Sequence, residues 1–316
     1  MDFAIKNIVI ATVIFGTILV IIFENRNPVK TIAWCMVLTF MPVIGLLLYI
    51  LFGMDNRHRR QIKDEDLSRL KGITEITQSD DILSEMPVPQ KPLADMLRKM
   101  NKSFLLSGND VEIITDFQTM SDRLIADIEG ARHHINMLFF KFEDDAAGRR
   151  IADALIRKSE EGVLVRLIYD DAGNLMVPRR FYRKLRKHGI QVRGFIRIFL
   201  PILSRDYNSR NHRKVVVIDG RVGYMGGMNI AQRYAEGLKW GIWRDTHMRI
   251  TGPAVSELQT SFLTDWKFTK GDEPDLAPMY PYNPPCGNTL MQIVTGGPMD
   301  KWNVMMQAYM LWLKQI

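Results

Sequence analysis

The chain has 316 residues, 47% of them apolar, a formal net charge of +7 and two cysteines. That length holds one large domain or two modest ones. Cys35 and Cys286 have neither a partner pattern nor metal-ligand spacing, which excludes a disulfide framework and a cysteine-built metal centre and fits a reducing compartment.

The apolar residues concentrate at the amino terminus. Residues 7–23 (NIVIATVIFGTILVIIF) and 31–52 (TIAWCMVLTFMPVIGLLLYILF) carry no charge. Each is close to the roughly 20 residues that cross a hydrocarbon layer, so residues 1–53 are predicted to form a two-helix transmembrane hairpin with both ends on one side. The first run lacks a small-residue cleavage site and a second run follows at once, which argues against a secretory leader. Pro42 and Gly45 are tolerable in a membrane helix, and Trp34 and Tyr49 stand near the ends of the second run, where amphipathic rings favour the interface. Arg57, Arg59, Arg60 and Lys63 outweigh Arg26 and Lys30 of the connector. The positive-inside tendency then places the body in the cytoplasm.

Residues 54–109 are polar and mixed in charge, broken by Pro87, Pro89 and Pro92, and read as a cytoplasmic tether with short helices. A domain over 110–270 follows. Residues 111–115 suggest a short strand. Met120, Leu124, Ile125 and Ile128 give residues 116–131 one apolar helical face. A strand over 134–142, a helix over 146–162 closed by Gly162, and a buried strand over 163–171 come next. Strand, helix and strand in that order imply a crossover in a parallel or mixed sheet. A basic helix near 178–188 and strands at 190–196 and 246–252 complete an α/β mixed-sheet sandwich. Six prolines mark residues 271–298 as a linker. In 299–316, Trp302, Met305, Met306, Tyr309 and Leu313 repeat at helical spacing. That segment reads as the first helix of a second unit like 116–142, with the chain stopping inside it.

The chemistry concentrates in NHRKVVVIDGRVGYMGGMNI, residues 211–230. Residues 215–218 are a β-branched run closed by Asp219-Gly220, a buried strand ending in a tight turn. Side chains alternate along a strand, so His212 and Lys214 point the same way. A nitrogen nucleophile or base beside a fixed cation suits a phosphate ester. Asp219 has the opposite parity and is expected to anchor the strand end rather than touch the His212 ring. Gly226 and Gly227 let backbone approach a bound group, and the Asn229 amide can donate to a phosphate oxygen. Glu236 is a candidate to orient the His212 ring, with a surface carboxylate as the alternative. Arg244 and Asp245 are expected to pair structurally, His247 to be a satisfied structural histidine, and His133 and His134 to carry no chemistry.

From Met176 to Lys214 there are twelve Lys or Arg and one acid, Asp206. Such a field attracts polyanions, either nucleic acid or anionic lipid. The membrane hairpin favours lipid, and no nucleic acid is expected.

The spacing H-x-K-x4-D, then Gly-Gly-x-Asn, resembles the motif of the phospholipase D superfamily, with Gly227 where many members have Ser. Taken with RNPVKTIAWCMVLTFMPVIGLLLYILFG, KFEDDAAGRRIADALIRKSEEGVLVRLIYDDAGN, WGIWRDTHMRITGPAV and LQTSFLTDW, nearly the whole chain resembles a bacterial cardiolipin synthase of the phospholipase D type. The resemblance implies a phosphatidyltransferase that needs no cofactor or metal and makes cardiolipin from two phosphatidylglycerols. His212 would be the nucleophile of the catalytic set His212, Lys214 and Asp219, and Lys214, Asn229 and Gly227 would hold the phosphate. Family members carry two motif copies, and this sequence holds one. The chain alone is therefore expected to be nearly inactive as a monomer. The alternatives are a phospholipase D-type hydrolase or nuclease, or a catalytically silent membrane-anchored fragment binding anionic lipid.

Overall fold

The structure is a computed structural model that describes residues 2–23, 28–53, 90–196, 210–239, 241, 243–297 and 304–314. The chain separates into two compact units, residues 1–59 with 198–208, and residues 60–197 with 209–316.

In the first unit, α1 (Asp2–Phe23) is long and apolar enough to cross a membrane, with a mean hydropathy of 2.4 over Ile5–Phe23. Ile8, Phe15 and Phe23 are exposed, as suits a helix covered by hydrocarbon. The second apolar run departs from the expected span. It forms α2 (Pro28–Phe40), α3 (Pro42–Leu48) and a π-helical turn (Tyr49–Gly53). Met41 leaves helical geometry at φ −132°, ψ 67°, because the proline after it disfavours the helical region and cannot donate a backbone hydrogen bond. The chain then turns back. The Trp34 and Tyr49 rings meet edge to face, centroids 5.5 Å apart, where fifteen residues of straight helix would separate them by about 22 Å. Gly45 permits the approach, since a Cβ there would lie 2.7 Å from the Val37 carbonyl oxygen. The two-helix hairpin is thus corrected to one long apolar helix and a folded-back pair of short ones. The two aromatic rings do not mark opposite ends of a span. The basic cluster at 57–63 lies outside the described residues.

The second unit begins, among the described residues, with α4 (Lys91–Asn101) and β1 (Leu105–Ile114). It continues through α5 (Phe117–Gly130), β2 (His134–Phe139), α6 (Ala146–Glu160), β3 (Leu164–Asp170), α7 (Arg179–Lys187) and β4 (Gln191–Phe195). Then come β5 (Val215–Ile218), β6 (Val222–Gly226), α8 (Gln232–Glu236), β7 (His247–Thr251), α9 (Val255–Phe268), β8 (Thr289–Gln292) and α10 (Val304–Leu313). The eight strands form one mixed sheet in the order β4-β3-β2-β5-β6-β7-β1-β8. β2, β3 and β4 are parallel, as their crossover helices require, and the remaining pairings are antiparallel.

Capping starts the helices where the sequence changes period. Asp116 accepts from Thr119 N (2.8 Å) to open α5, and Asp145 accepts from Gly148 N (2.9 Å) to open α6. Two apolar layers sandwich the sheet. Met120, Leu124 and Ile128 of α5 and Ile151 and Leu155 of α6 pack with Val216 and Ile218. Val215 and Val217 face the opposite layer, with Val255 and Leu258 of α9. All four residues of β5 are buried, so its register against β2 (Ile135 with Ile218, Leu138 with Val215) is pinned, because a one-residue slip would exchange both faces.

Two expected boundaries change. β1 starts at Leu105, so the edge drawn at 109/110 falls inside a strand. The proline-rich stretch 271–298 is part of the domain rather than a linker. β8 pairs with β1, Met279 is buried, Asn283 donates to Gly220 O (2.7 Å) and Cys286 N donates to Gly108 O (2.8 Å). Proline is compatible with extended edge segments, so its density alone does not mark a flexible linker.

Candidate active site

The site lies at the sheet end where β2 and β6 finish and β5 and β7 begin. Residues 211–214 lead directly into β5, and the alternation of sides persists through them. Arg213 turns to the α9 side and forms a two-pronged pair with Asp265 (2.8 and 2.7 Å). His212 and Lys214 take the other side. His212 is exposed and Lys214 is 2% exposed, so a reactive imidazole stands over a sunken cation. Lys214 Nζ donates to His212 O (2.6 Å) and lies 3.1 Å from His212 Nδ1. Phe140, just past β2, forms one wall. Its ring is 4.7 Å from the imidazole, and Lys214 Nζ is 5.5 Å from the Phe140 centroid.

Burial lowers the Lys214 pKa to about 8, opposed by the Asp245 charge. The His212 pKa is also lowered, first by burial and then by Lys214, and Asp245 again opposes. Asp245 is therefore the carboxylate that acts on both groups. Sequence reading placed it in a structural pair with Arg244. Its position against Gly227 is a tertiary fact, and a Cβ at 227 would fall on its carboxylate.

The other expected contacts resolve differently. Gly227 N donates to Thr246 O (2.8 Å) and is committed to the fold. Asn229 is buried. Its Oδ1 accepts from Lys141 N (3.1 Å) and its amide donates to the Tyr234 hydroxyl (2.8 Å). These contacts fix both residues beside the site. Glu236 is exposed and accepts from Gln232 Nε2 (2.7 Å). His247 is fully buried and stacks near Phe139 at 6.4 Å, but neither ring nitrogen has a hydrogen-bonding partner among the described residues. Burial pushes its pKa down to about 4, so the ring is neutral. His134 is held in the same state, also near 4, beside Gln259.

Asp219 sits at the far end of β5 with φ +53°. Its carboxylate accepts from the backbone amides of Arg132 (2.8 Å), His133 (2.8 Å) and His134 (2.9 Å). Two of these amides lie in the turn before β2 and the third opens β2 itself, so Asp219 clamps β2 to β5. Asp219→Asn keeps a residue type that tolerates positive φ but loses charge and turns an amide toward Arg132 N–H. A loss of about 1–3 kcal/mol of stability is expected, with little change in turnover per folded molecule. Thermal unfolding beside activity of the folded fraction checks this. Full stability with lost activity would give Asp219 a chemical role.

Asp170, at the end of β3, was not singled out in the sequence. It is buried, accepts from Asn211 N (3.0 Å), Ala172 N (2.9 Å) and Gly173 N (3.2 Å), and thereby fixes the residue before His212. The paired acids of IYDD at the end of a buried run were the available signal.

An exposed imidazole, a sunken lysine and a strand-anchoring aspartate are thus carried by one mixed sheet packed on both faces. Residues 124–266 match the family described as "Cardiolipin synthase, PLD-like domain", and residues 12–53 match "Phospholipase_D-nuclease N-terminal". The chain is similar to bacterial cardiolipin synthases of the phospholipase D type. It is 36% identical to "Major cardiolipin synthase ClsA" of Bacillus subtilis over 97% of this chain and 65% of that one. It is 35% identical to a cardiolipin synthase of Oceanobacillus iheyensis over 92% and 62%, and to one of Listeria monocytogenes over 96% and 65%. The chain thus spans under two thirds of the length of these relatives.

Proposed function

We propose that the protein is a phosphatidyltransferase that joins two phosphatidylglycerols into cardiolipin and releases glycerol. The observation that carries this is the exposed His212 over the buried Lys214, under the influence of Asp245, in a chain with an apolar helix long enough to enter a membrane. A lipid phosphate oxygen displaces Lys214 Nζ from the imidazole. The freed ring, under the influence of the Asp245 charge, attacks phosphorus. The bond from phosphorus to the headgroup glycerol breaks, and glycerol leaves with a proton. The hydroxyl of a second phosphatidylglycerol then attacks the phosphatidyl-histidine, gives up its proton, and the P–N bond breaks. Both proton transfers need a group besides His212. A second H-x-K, from the remaining length seen in the relatives or from a second copy of this chain, would supply it. Phosphatidylglycerol and the membrane are the proposed partners, with the body on the cytoplasmic face.

The test is the purified protein with phosphatidylglycerol labelled in the acyl chain and, separately, in the headgroup. Cardiolipin and free glycerol in equal amounts are expected. Phosphatidic acid in place of cardiolipin would make water the acceptor and the protein a hydrolase.

The Lys214 environment sets a pH limit. The ammonium form holds phosphate, so kcat/KM should fall tenfold per pH unit above about 8. Bound phosphate stabilises the ammonium, and the limb in kcat should lie at higher pH. The unfolded lysine keeps its proton up to about 10.4, so the stability cost of the depressed pKa is full below about 8 and is relieved as pH rises from about 8 to about 10.4. Loss of activity without unfolding is therefore the signature. Coincident unfolding between pH 8 and 10 would contradict it.

A further inference from the structure

The turn between β3 and α7 presents an apolar tip that the chemistry above does not use. Met176 is 95% exposed and Leu175 48% exposed. Neighbouring contacts show that this exposure belongs to a fixed turn. Asn174 is buried, its amide donates to Phe140 O (2.8 Å) and Asp170 O (2.7 Å), and its Oδ1 accepts from Phe142 N (2.9 Å). The tip is therefore bolted to the segment whose Phe140 ring walls the His212 site. α7 follows directly. Phe181, Tyr182 and Leu185 bury its inner face, and the Tyr182 hydroxyl donates to Phe142 O (2.9 Å). Its cations stand outward. Lys184 reaches Asp153 (3.2 Å) and Arg186 bonds Val192 O (3.2 Å). Arg179, Arg180, Arg183 and Lys187 are exposed and engage no acid among the described residues.

We propose that Leu175, Met176 and the outer face of α7 form a bilayer-docking surface for anionic phospholipid at the rim of the His212 site. This rests on the lipid reading given above and adds the surface that performs the contact. The apolar tip enters the acyl boundary, and Arg179, Arg180 and Arg183 meet the headgroup phosphates. A polyphosphate such as nucleic acid would satisfy the arginines but leave Met176 in water. The outer face of α7 also carries no aromatic ring on which a base would stack, since Phe181 and Tyr182 point inward. Because the tip and Phe140 share hydrogen bonds, docking sets the height of the His212 site against the headgroup layer.

The test uses the full chain reconstituted in vesicles, with Cys35→Ala and Cys286→Ser, an environment-sensitive fluorophore on Met176→Cys, and a control label on His133→Cys at the opposite end of the sheet. Vesicles containing phosphatidylglycerol should shift the 176 emission to the blue relative to phosphatidylcholine alone, and the 133 label should stay unchanged. Each basic residue near an anionic surface is worth about fivefold in affinity. The triple variant R179Q/R180Q/R183Q should therefore need at least about tenfold more phosphatidylglycerol for the same shift. Equal 176 emission in the two lipids, an equal response at 133, or abolition of the shift by stoichiometric short duplex DNA would overturn the proposal. Assaying cardiolipin formation in the same vesicles, with His212 intact, separates the two readings. A surviving shift in a protein that forms no cardiolipin retains the docking surface and removes the chemistry. A water-like 176 label in a protein that forms cardiolipin does the reverse.

Discussion

Replacing His212 by alanine should lower cardiolipin formation by about 10⁴–10⁶-fold, the range seen when a covalent nucleophile is removed. The variant should also yield no protein-bound phosphatidyl group on acid quench. The prediction is specific because His212 contributes little to the fold. It is exposed, and its contacts are to Lys214 and the Phe140 ring. Stability should change by less than about 0.5 kcal/mol, as for other exposed positions. Lys214 keeps its bond to the residue-212 carbonyl oxygen (2.6 Å), so the phosphate-holding cation stays in place. Binding of phosphatidylglycerol should accordingly persist while turnover vanishes. Retained labelling of the variant by acyl-labelled substrate would move the nucleophile elsewhere.

Asp245 should prove nearly as costly. Its carboxylate is the charge that counters the depressed pKa values of both His212 and Lys214. Asp245→Asn should lower kcat/KM by about 10²–10⁴-fold, the range for acid–base partners and their orienting carboxylates. The alkaline limb of kcat/KM should also move to lower pH, because Lys214 then loses its stabilising neighbour. Gly227→Ala should give the same phenotype from the other side of the contact, since its methyl would occupy the place of the Asp245 carboxylate. A merely structural defect would lower expression or stability and leave the limb where it was. If Gly227→Ala were fully active with an unmoved limb, the carboxylate would have room elsewhere and the assignment would fail.

What the sequence displayed depended on whether a local rule or a long-range approach decides the outcome. The crossover order of 116–171, the buried run 215–218 and the shared side of His212 and Lys214 follow from periodicity and strand parity, which act over a few residues. The protein contacts of Gly227 and Asn229 do not. Their polar groups are taken by Thr246, Lys141 and Tyr234, partners set by β6–β7 pairing and by the helix after the glycine turn. Asp245 was likewise visible only as an acid beside an arginine until β7 carried it onto Gly227. In 31–52, a charge-free run reads alike whether it crosses once or folds on itself, and the Trp34–Tyr49 contact separates the two. The proline-rich stretch misled for a related reason, because edge pairing with β1 uses backbone groups that composition does not reveal.

The Asp219 clamp bears on how the protein is made. Its three bonds close chain separations of 85 to 87 residues, and β2 finds β5 only across the whole β2-α6-β3-α7-β4 excursion. Non-local pairing of this kind forms late, since loop-closure entropy precedes its reward. During synthesis, β2 can pair with β3 on one side while its other edge stays open until residues 215–219 leave the ribosome. An open apolar edge is a template for another chain. The motif strand is thus also the piece that seals the nascent sheet, and a ribosome stalled before residue 215 should yield chains that aggregate or recruit chaperones, whereas one stalled after β7 should not.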